Sequence, residues 1–96
     1  MTIDATRPRV FGILLEEPYP EVIDAITSRY KAYKASPTFY LVASADLAQT
    51  IATTIGIRPP EGADLHAAKT GVVFRLNGVY SGYFDRSIWE WLGNYE

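Results

Sequence analysis

Asn77-Gly78 stands between two runs of β-forming residues in the stretch Gly71–Phe84, GVVFRLNGVYSGYF. Asn and Gly accept the positive φ values that a two-residue type I′ turn requires, and the flanking β-branched and aromatic residues favour strands. This dipeptide between two such runs is a strong short-range indication of a hairpin. The stretch therefore predicts two antiparallel strands joined by a tight turn.

The turn also predicts which side chains share a face of the hairpin, because successive side chains of a strand point to opposite sides. Val72, Phe74 and Leu76 lie on one side, and we expect that side to face the core. On the other side Arg75 lies opposite Tyr80, which is typical of a cross-strand stacking or cation–π pair.

Upstream, the run Arg9–Leu15, RVFGILL, is continuously apolar after its first residue rather than alternating. Such a run is typical of a strand that is covered on both faces, so we expect the first strand to be central. Pro20 suits the first turn of a helix, where its missing N–H costs no hydrogen bond. Apolar residues at helical spacing then predict a helix from Pro20 to about Lys34.

A second strand is predicted at Thr38–Ala43, which is rich in β-forming residues. Strand, helix and strand in this order predict a right-handed parallel crossover. Ser44 or Asp46 could cap the next helix, and Gly56 is placed to end it.

The last element is a short helix that follows the hairpin. Asp85 or Ser87 could cap this helix, the second with Glu90 as a capping box, and Gly93 is expected to end it. Between the second helix and the hairpin lies a connection over residues 57–70, and loops of this length are often functional.

The predicted order β-α-β-α-β-β-α places the chain in the α/β (α+β mixed) class, with a single-layer mixed four-stranded sheet and a C-terminal hairpin followed by a short helix. We expect one domain over residues 1–96, with a loose leader at 1–8 and a globular part at 9–96. Over about residues 9–93 the element order resembles the thioredoxin-like topology. Where that family carries its Cys pair, this chain has Glu16–Pro20, EEPYP, and the proline before the third strand is missing. The resemblance therefore implies a shape and no activity.

Composition excludes several classes of chemistry. The 96 residues contain no Cys, so disulfides, a thiolate nucleophile and Cys-ligated zinc are excluded. The net charge is −2 and the basic residues are scattered, which makes nucleic acid an unlikely partner. There is no secretory h-region and no run of 18 apolar residues, so we expect a cytoplasmic protein without a membrane segment.

Residues that could carry chemistry are few. His66 is the only His, and a lone His in a polar loop is usually just solvated. Glu16 and Glu17 could bind Mg²⁺, but adjacent residues of an extended segment point to opposite sides. We predict no catalytic residue, metal ion or cofactor. A ligand pocket lined by Glu17, Tyr19 and His66, between the end of the first strand and the 57–70 loop, is the alternative hypothesis of a small enzyme or ligand-binding domain.

The main hypothesis is a non-enzymatic protein-interaction or regulatory module. Seven Tyr and two Trp are present, and Tyr, Trp and Arg dominate the energetics of protein interfaces. Trp89 falls outside the apolar stripe of the last helix. We therefore predict Arg75, Tyr80 and Trp89 as contact residues for a protein partner or for a second copy of the chain.

Overall fold

Four strands and three helices make up the regular structure of the residues that the computed structural model describes, which are 7–57, 69–77, 82 and 85–95. The strands are β1 Arg9–Leu15, β2 Lys31–Ser36, β3 Phe39–Ser44 and β4 Gly71–Arg75. The helices are α1 Pro20–Arg29, α2 Ala48–Ile55 and α3 Arg86–Tyr95.

The strands form one sheet in the order β2-β3-β1-β4, in which each described pair of neighbours is antiparallel. The α/β class, the four-stranded sheet and the central position of β1 are confirmed. The mixed sheet with a parallel crossover is wrong, because one more strand precedes β3 and reverses the chain once more. The thioredoxin-like topology is not confirmed, since it was inferred from an element order that included this crossover.

The additional strand occupies the end of the predicted first helix. α1 ends at Arg29 instead of about Lys34, and Lys31–Ser36 pairs with β3 across a turn at Pro37. The longer helix was predicted from apolar residues at helical spacing. Over the few residues from Lys31 to Ser36, that spacing is also compatible with a strand. Pairing with β3 decides between them, because it satisfies the backbone hydrogen bonds of the segment and buries Val42 beside Ala32.

One face of the sheet, here the inner face, is covered by α1 and α2. Its core is built from alternate residues of the two central strands and from the apolar stripes of both helices. Its fully or nearly buried members are Phe11, Ile13, Leu15, Val22, Ile26, Tyr40, Val42, Ile51, Ile55 and Ile57.

Of the described helices, α3 alone covers the opposite face, here the open face. Leu92 of α3 is buried with Val10 and Leu41, and aromatic side chains surround this small cluster. Tyr33 lies on this face, where its ring centroid is 6.3 Å from that of Trp91. The two faces therefore differ in the number of helices that cover them.

Of the two predicted ends of α2, one is confirmed and the other is wrong. Gly56 ends the helix with a φ of 92°, the left-handed conformation that favours glycine, so that prediction is confirmed. The cap at the start is wrong, because Leu47 occupies the N-cap position and makes no capping hydrogen bond. The Ser44 hydroxyl instead accepts a hydrogen bond from the Asp46 N–H at 3.0 Å, within the preceding turn.

α3 begins after Asp85, one of the two predicted caps. The Asp85 carboxylate accepts hydrogen bonds from the Ser87 N–H at 2.9 Å and the Ser87 hydroxyl at 2.6 Å. These bonds lower the pKa of Asp85. The expected end at Gly93 is wrong, because the helix continues to Tyr95, whose ring packs on Trp91 with centroids 4.7 Å apart.

The predicted hairpin is confirmed in its first arm, β4, and its second arm lies outside the described residues. The prediction of its core side is wrong for two of three residues. Val73 packs against the inner-face core, whereas Val72 and Phe74 are exposed on the open face. Leu76 on that face is partly buried, since it packs against the cluster that α3 covers.

Candidate functional site

The described helices leave an apolar surface exposed on the open face of the sheet. Leu14, Val72 and Phe74 expose 46%, 49% and 41% of their surface, and Phe39 beside them is only partly buried. These four residues are named the open-face patch. Exposed apolar residues that stand singly are common, but a contiguous group is typical of a binding surface.

Strand pairing makes the patch continuous. Leu14 is the register partner of Phe39 on β3 and of Val72 on β4, so these residues form a row across three strands. Phe74 joins the row through Phe39, because the ring centroids lie 6.1 Å apart. The result is one apolar surface built from segments that are distant in the sequence.

Gly12 explains how the Phe74 ring lies against β1. The two residues are register partners, and a Cβ added at position 12 would lie 2.5 Å from Cζ of Phe74. Real carbon atoms do not approach this closely, so any larger residue would force the ring to move. A glycine in a central strand is often the mark of such a close approach.

α3 leaves the patch uncovered because it packs on the other end of the sheet. It contacts Val10 through Leu92, and the hydroxyls of Tyr33 and Ser87 are hydrogen-bonded to each other. Leu14 is four residues further along β1, at roughly 13 Å for a strand. The residues of α3 on this face pack in the cluster around Val10 and Leu41, and neither Leu14 nor Val72 belongs to that cluster.

The predicted contact residues are not brought together by the described part of the chain. Arg75 is exposed and its register partner is Phe11, so it lies on the opposite side of β4 from Phe74. Trp89 exposes 37% of its surface on α3. Tyr80 lies outside the described residues. The predicted set therefore stays a prediction.

The predicted pocket at the end of the first strand is only partly described. Glu17 is exposed, Tyr19 is partly buried, and His66 lies outside the described residues. The Tyr19 hydroxyl accepts a hydrogen bond from the Thr70 N–H at 3.1 Å. The Tyr19 ring also packs against the inner-face core. These contacts give Tyr19 a structural role at the start of α1.

An ion pair joins the same region to the segment before β4. The Lys69 ammonium lies 3.0 Å from a carboxylate oxygen of Glu21, at the start of α1. A hydrogen bond from its own backbone N–H, followed by one from Lys69, lowers the pKa of Glu21. Both side chains remain accessible to solvent, so the pair contributes little to stability.

Arg7 and Arg9 lie near Arg75. The sequence predicted Arg7 in a loose leader and Arg9 at the start of the first strand. Arg7 and Arg9, with Arg75, line a cavity of about 220 Å³. The sequence signal that could have indicated them is the alternation Arg-Pro-Arg directly before an apolar strand, which puts two guanidinium groups on one side of an extended chain.

Metal-binding groups and membrane-spanning helices are the other features considered for the described residues. In the described part of the chain, no three His, Cys, Asp or Glu side chains are grouped so that they could hold a metal ion. Likewise, none of the described helices has the length and apolar character needed to cross a membrane. Comparison of the chain with protein-family models, with curated proteins and with solved structures found no match.

Proposed function

We propose that this protein is a non-enzymatic interaction module and that the open-face patch is its contact surface. The observation that supports the proposal is the continuous row of Leu14, Phe39 and Val72, with Phe74 beside it, which the described helices leave wholly or partly exposed. Apolar surface exposed to water is unfavourable by about 25 cal/mol per Å², so covering it favours association.

The proposed occupant is a second copy of the same chain. The patch contains no charged residue, so it offers nothing for a charged partner to recognise and matches a surface as apolar as itself. A twofold axis through the patch would place each copy's Phe74 and Val72 against the other copy. Isologous dimers of this kind are the commonest oligomers, and two sheet faces pack well at about 10 Å separation.

The size of the patch indicates a weak dimer. A standard interface buries about 800 Å² on each partner, and four partly exposed side chains supply only part of that area. The remainder must come from the polar residues around the patch, which add little affinity. We therefore expect a reversible monomer–dimer equilibrium that depends on protein concentration, rather than a permanent dimer.

The test is sedimentation equilibrium over a wide range of protein concentration. Wild type is expected to shift from monomer to dimer, and Val72→Lys is expected to stay monomeric because two ammonium groups would meet at the axis. Leu47→Lys is the matched control: Leu47 exposes 66% of its surface near α2, away from the patch. This control is expected to dimerise like wild type.

Two outcomes contradict the proposal. Wild type that remains monomeric at the highest concentrations would exclude the second copy as occupant. Equal loss of dimer in Leu47→Lys and Val72→Lys would show that the contact lies elsewhere. Phe74→Ser provides an independent variant of the patch, and its circular dichroism spectrum shows whether the domain is still folded.

The contact residues predicted from the sequence, Arg75, Tyr80 and Trp89, enter the same assay. Trp89→Ala is expected to weaken the dimer if the exposed side of α3 forms part of the rim. An unchanged dissociation constant would remove Trp89 from the interface, while the patch variants would still test the proposal itself.

A further inference from the structure

A concave site lies where β1 begins and β4 ends, at the opposite end of β1 from Leu14. Its volume is about 220 Å³, and its lining includes Arg7, Arg9, Arg75, Asn77 and Tyr95. This is smaller than the roughly 300 to 1,000 Å³ of typical drug-sized ligand sites. The cavity therefore suits a small molecule or a single polar group of a larger one.

The fold brings three arginines, Arg7, Arg9 and Arg75, to the lining of one cavity. Arg7 and Arg9 flank Pro8, and the residue before a proline favours extended backbone, so their side chains leave the same side of the chain. Arg75 pairs with Phe11, the next residue on that side of β1. β4 stays beside β1 past Arg75, because the Leu76 N–H donates to the Val10 carbonyl at 2.9 Å.

Tyr95 of α3 is one of the residues that line the cavity. It is the last residue of α3, and its ring centroid lies 4.7 Å from that of Trp91, which packs against the cluster under the helix. The cavity is therefore lined by residues from the end of α3 as well as from the start of β1 and the end of β4.

The charge of the cavity is not compensated by acidic side chains of the described residues. None of the residues that line it is Asp or Glu. The ion pairs found in the described part of the chain are Lys69 with Glu21 and Arg86 with Glu90, and neither includes a lining residue. Three of the nine Lys and Arg residues thus meet at one cavity of a chain whose net charge is −2.

We propose that this cavity binds an oxyanionic small molecule, one that carries two or more phosphate or carboxylate groups. Guanidinium is always charged, and its planar fork binds both oxygens of such groups at once. Three arginines line the cavity with no Asp or Glu among its described lining residues, and a multiply charged anion would reduce the repulsion between their positive charges. This binding site goes beyond the proposed dimer and does not depend on it.

The experiment is titration of the ¹⁵N-labelled protein with pyrophosphate and separately with citrate, with ionic strength held constant by NaCl. We expect saturable shifts of the backbone amide signals of Arg9, Arg75 and Tyr95. Tighter binding of pyrophosphate would assign the natural ligand to the phosphate class, and tighter binding of citrate to the carboxylate class.

Substitutions locate the site. Arg75→Gln and Arg9→Gln are each expected to weaken binding about tenfold, because each removes a charge-assisted hydrogen bond donor. Arg86→Gln is the matched control, since it removes the same charge from an exposed residue of α3 that already pairs with Glu90. It is expected to leave the dissociation constant unchanged.

Shifts that grow linearly without saturation would overturn the site, and so would an equal loss of affinity in Arg86→Gln and Arg75→Gln. The outcome is separable from that of the dimer. Arg9→Gln is expected to change anion binding but not sedimentation, and Val72→Lys to change sedimentation but not anion binding.

Discussion

The two faces of the sheet have similar residues but different surroundings. On the inner face Ile13 is fully buried under α1 and α2, whereas on the open face its neighbour Leu14 is nearly half exposed. Both belong to the same central strand and both are large aliphatic residues. The difference shows that burial here depends on how many helices lie over a face, not on how apolar its residues are.

The comparison also explains where the candidate surfaces lie. Two helices cover the inner face well enough to form a continuous core, and α3 covers only the Val10 end of the open face. The uncovered end carries the open-face patch, and the end where α3 finishes carries the arginine-lined cavity. Among the described helices α3 alone lies on the open face, and this leaves the open-face patch exposed.

The largest expected effect comes from replacing two neighbouring residues of β1, Ile13 and Leu14, with alanine. Ile13→Ala should lower the free energy of unfolding by about 2 to 5 kcal/mol, because it leaves a cavity in a packed core. Leu14→Ala should cost about 1 kcal/mol or less, since its side chain is already half in water. Urea denaturation at low protein concentration measures both.

Equal losses for Ile13→Ala and Leu14→Ala would mean that the open face is as well covered as the inner face. The low protein concentration matters, because dimerisation through the patch would add apparent stability to wild type.

A smaller effect is expected where Phe74 packs over Gly12. Gly12→Ala should lower the free energy of unfolding by about 1 kcal/mol, because its Cβ collides with the Phe74 ring and the partly exposed ring must move. In a Phe74→Ala background the same change should be neutral or stabilising by up to about 1 kcal/mol, since alanine restricts the unfolded chain more than glycine does.

A double-mutant cycle in chemical denaturation measures this coupling. Equal costs of Gly12→Ala in both backgrounds would show that the ring is not the obstacle and that the patch is less ordered around Phe74 than the geometry indicates.

The smallest expected effect concerns the start of α3, the only helix on the open face in the described part of the chain. Because the pKa of Asp85 is lowered in the folded protein, its charge stabilises the fold above the unfolded value of 3.8, and this stabilisation is lost as the pH falls through the folded pKa. Asp85→Asn keeps a side-chain acceptor but removes the charge.

Thermal unfolding of wild type and Asp85→Asn should differ slightly in Tm at pH 7, with wild type higher. The difference should shrink as the pH falls below 3.8. A difference that stays constant down to pH 3 would mean that the carboxylate charge does not contribute to the start of α3.

Much of the fold could be predicted because its signals are local. A continuous apolar run identified β1, the run of β-forming residues before Asn77 identified β4, and Gly56 identified the end of α2. Each feature depends on the conformations that a few consecutive residues can adopt. Of the candidate sites, the sequence analysis found Arg75 but neither the patch nor the cavity.

Local signals did not determine the secondary structure or the burial of residues whose sequence pattern is compatible with two arrangements. The sequence predicts that the helix continues to about Lys34. Lys31–Ser36 is instead a strand, because it pairs with β3. Val72 and Phe74 are as apolar as Val73, and nothing in their spacing states which side the helices will cover.

The sequence by itself therefore determined the class of the protein, most of its secondary structure and the central strand, since these follow from backbone preferences and the alternation of apolar residues. Only the tertiary structure decided that each described strand pair is antiparallel, which face stays open, and that Arg7, Arg9 and Arg75 meet at one cavity. The physical reason is that strand order and helix placement depend on contacts between residues far apart in the chain, whose free energies no local pattern contains.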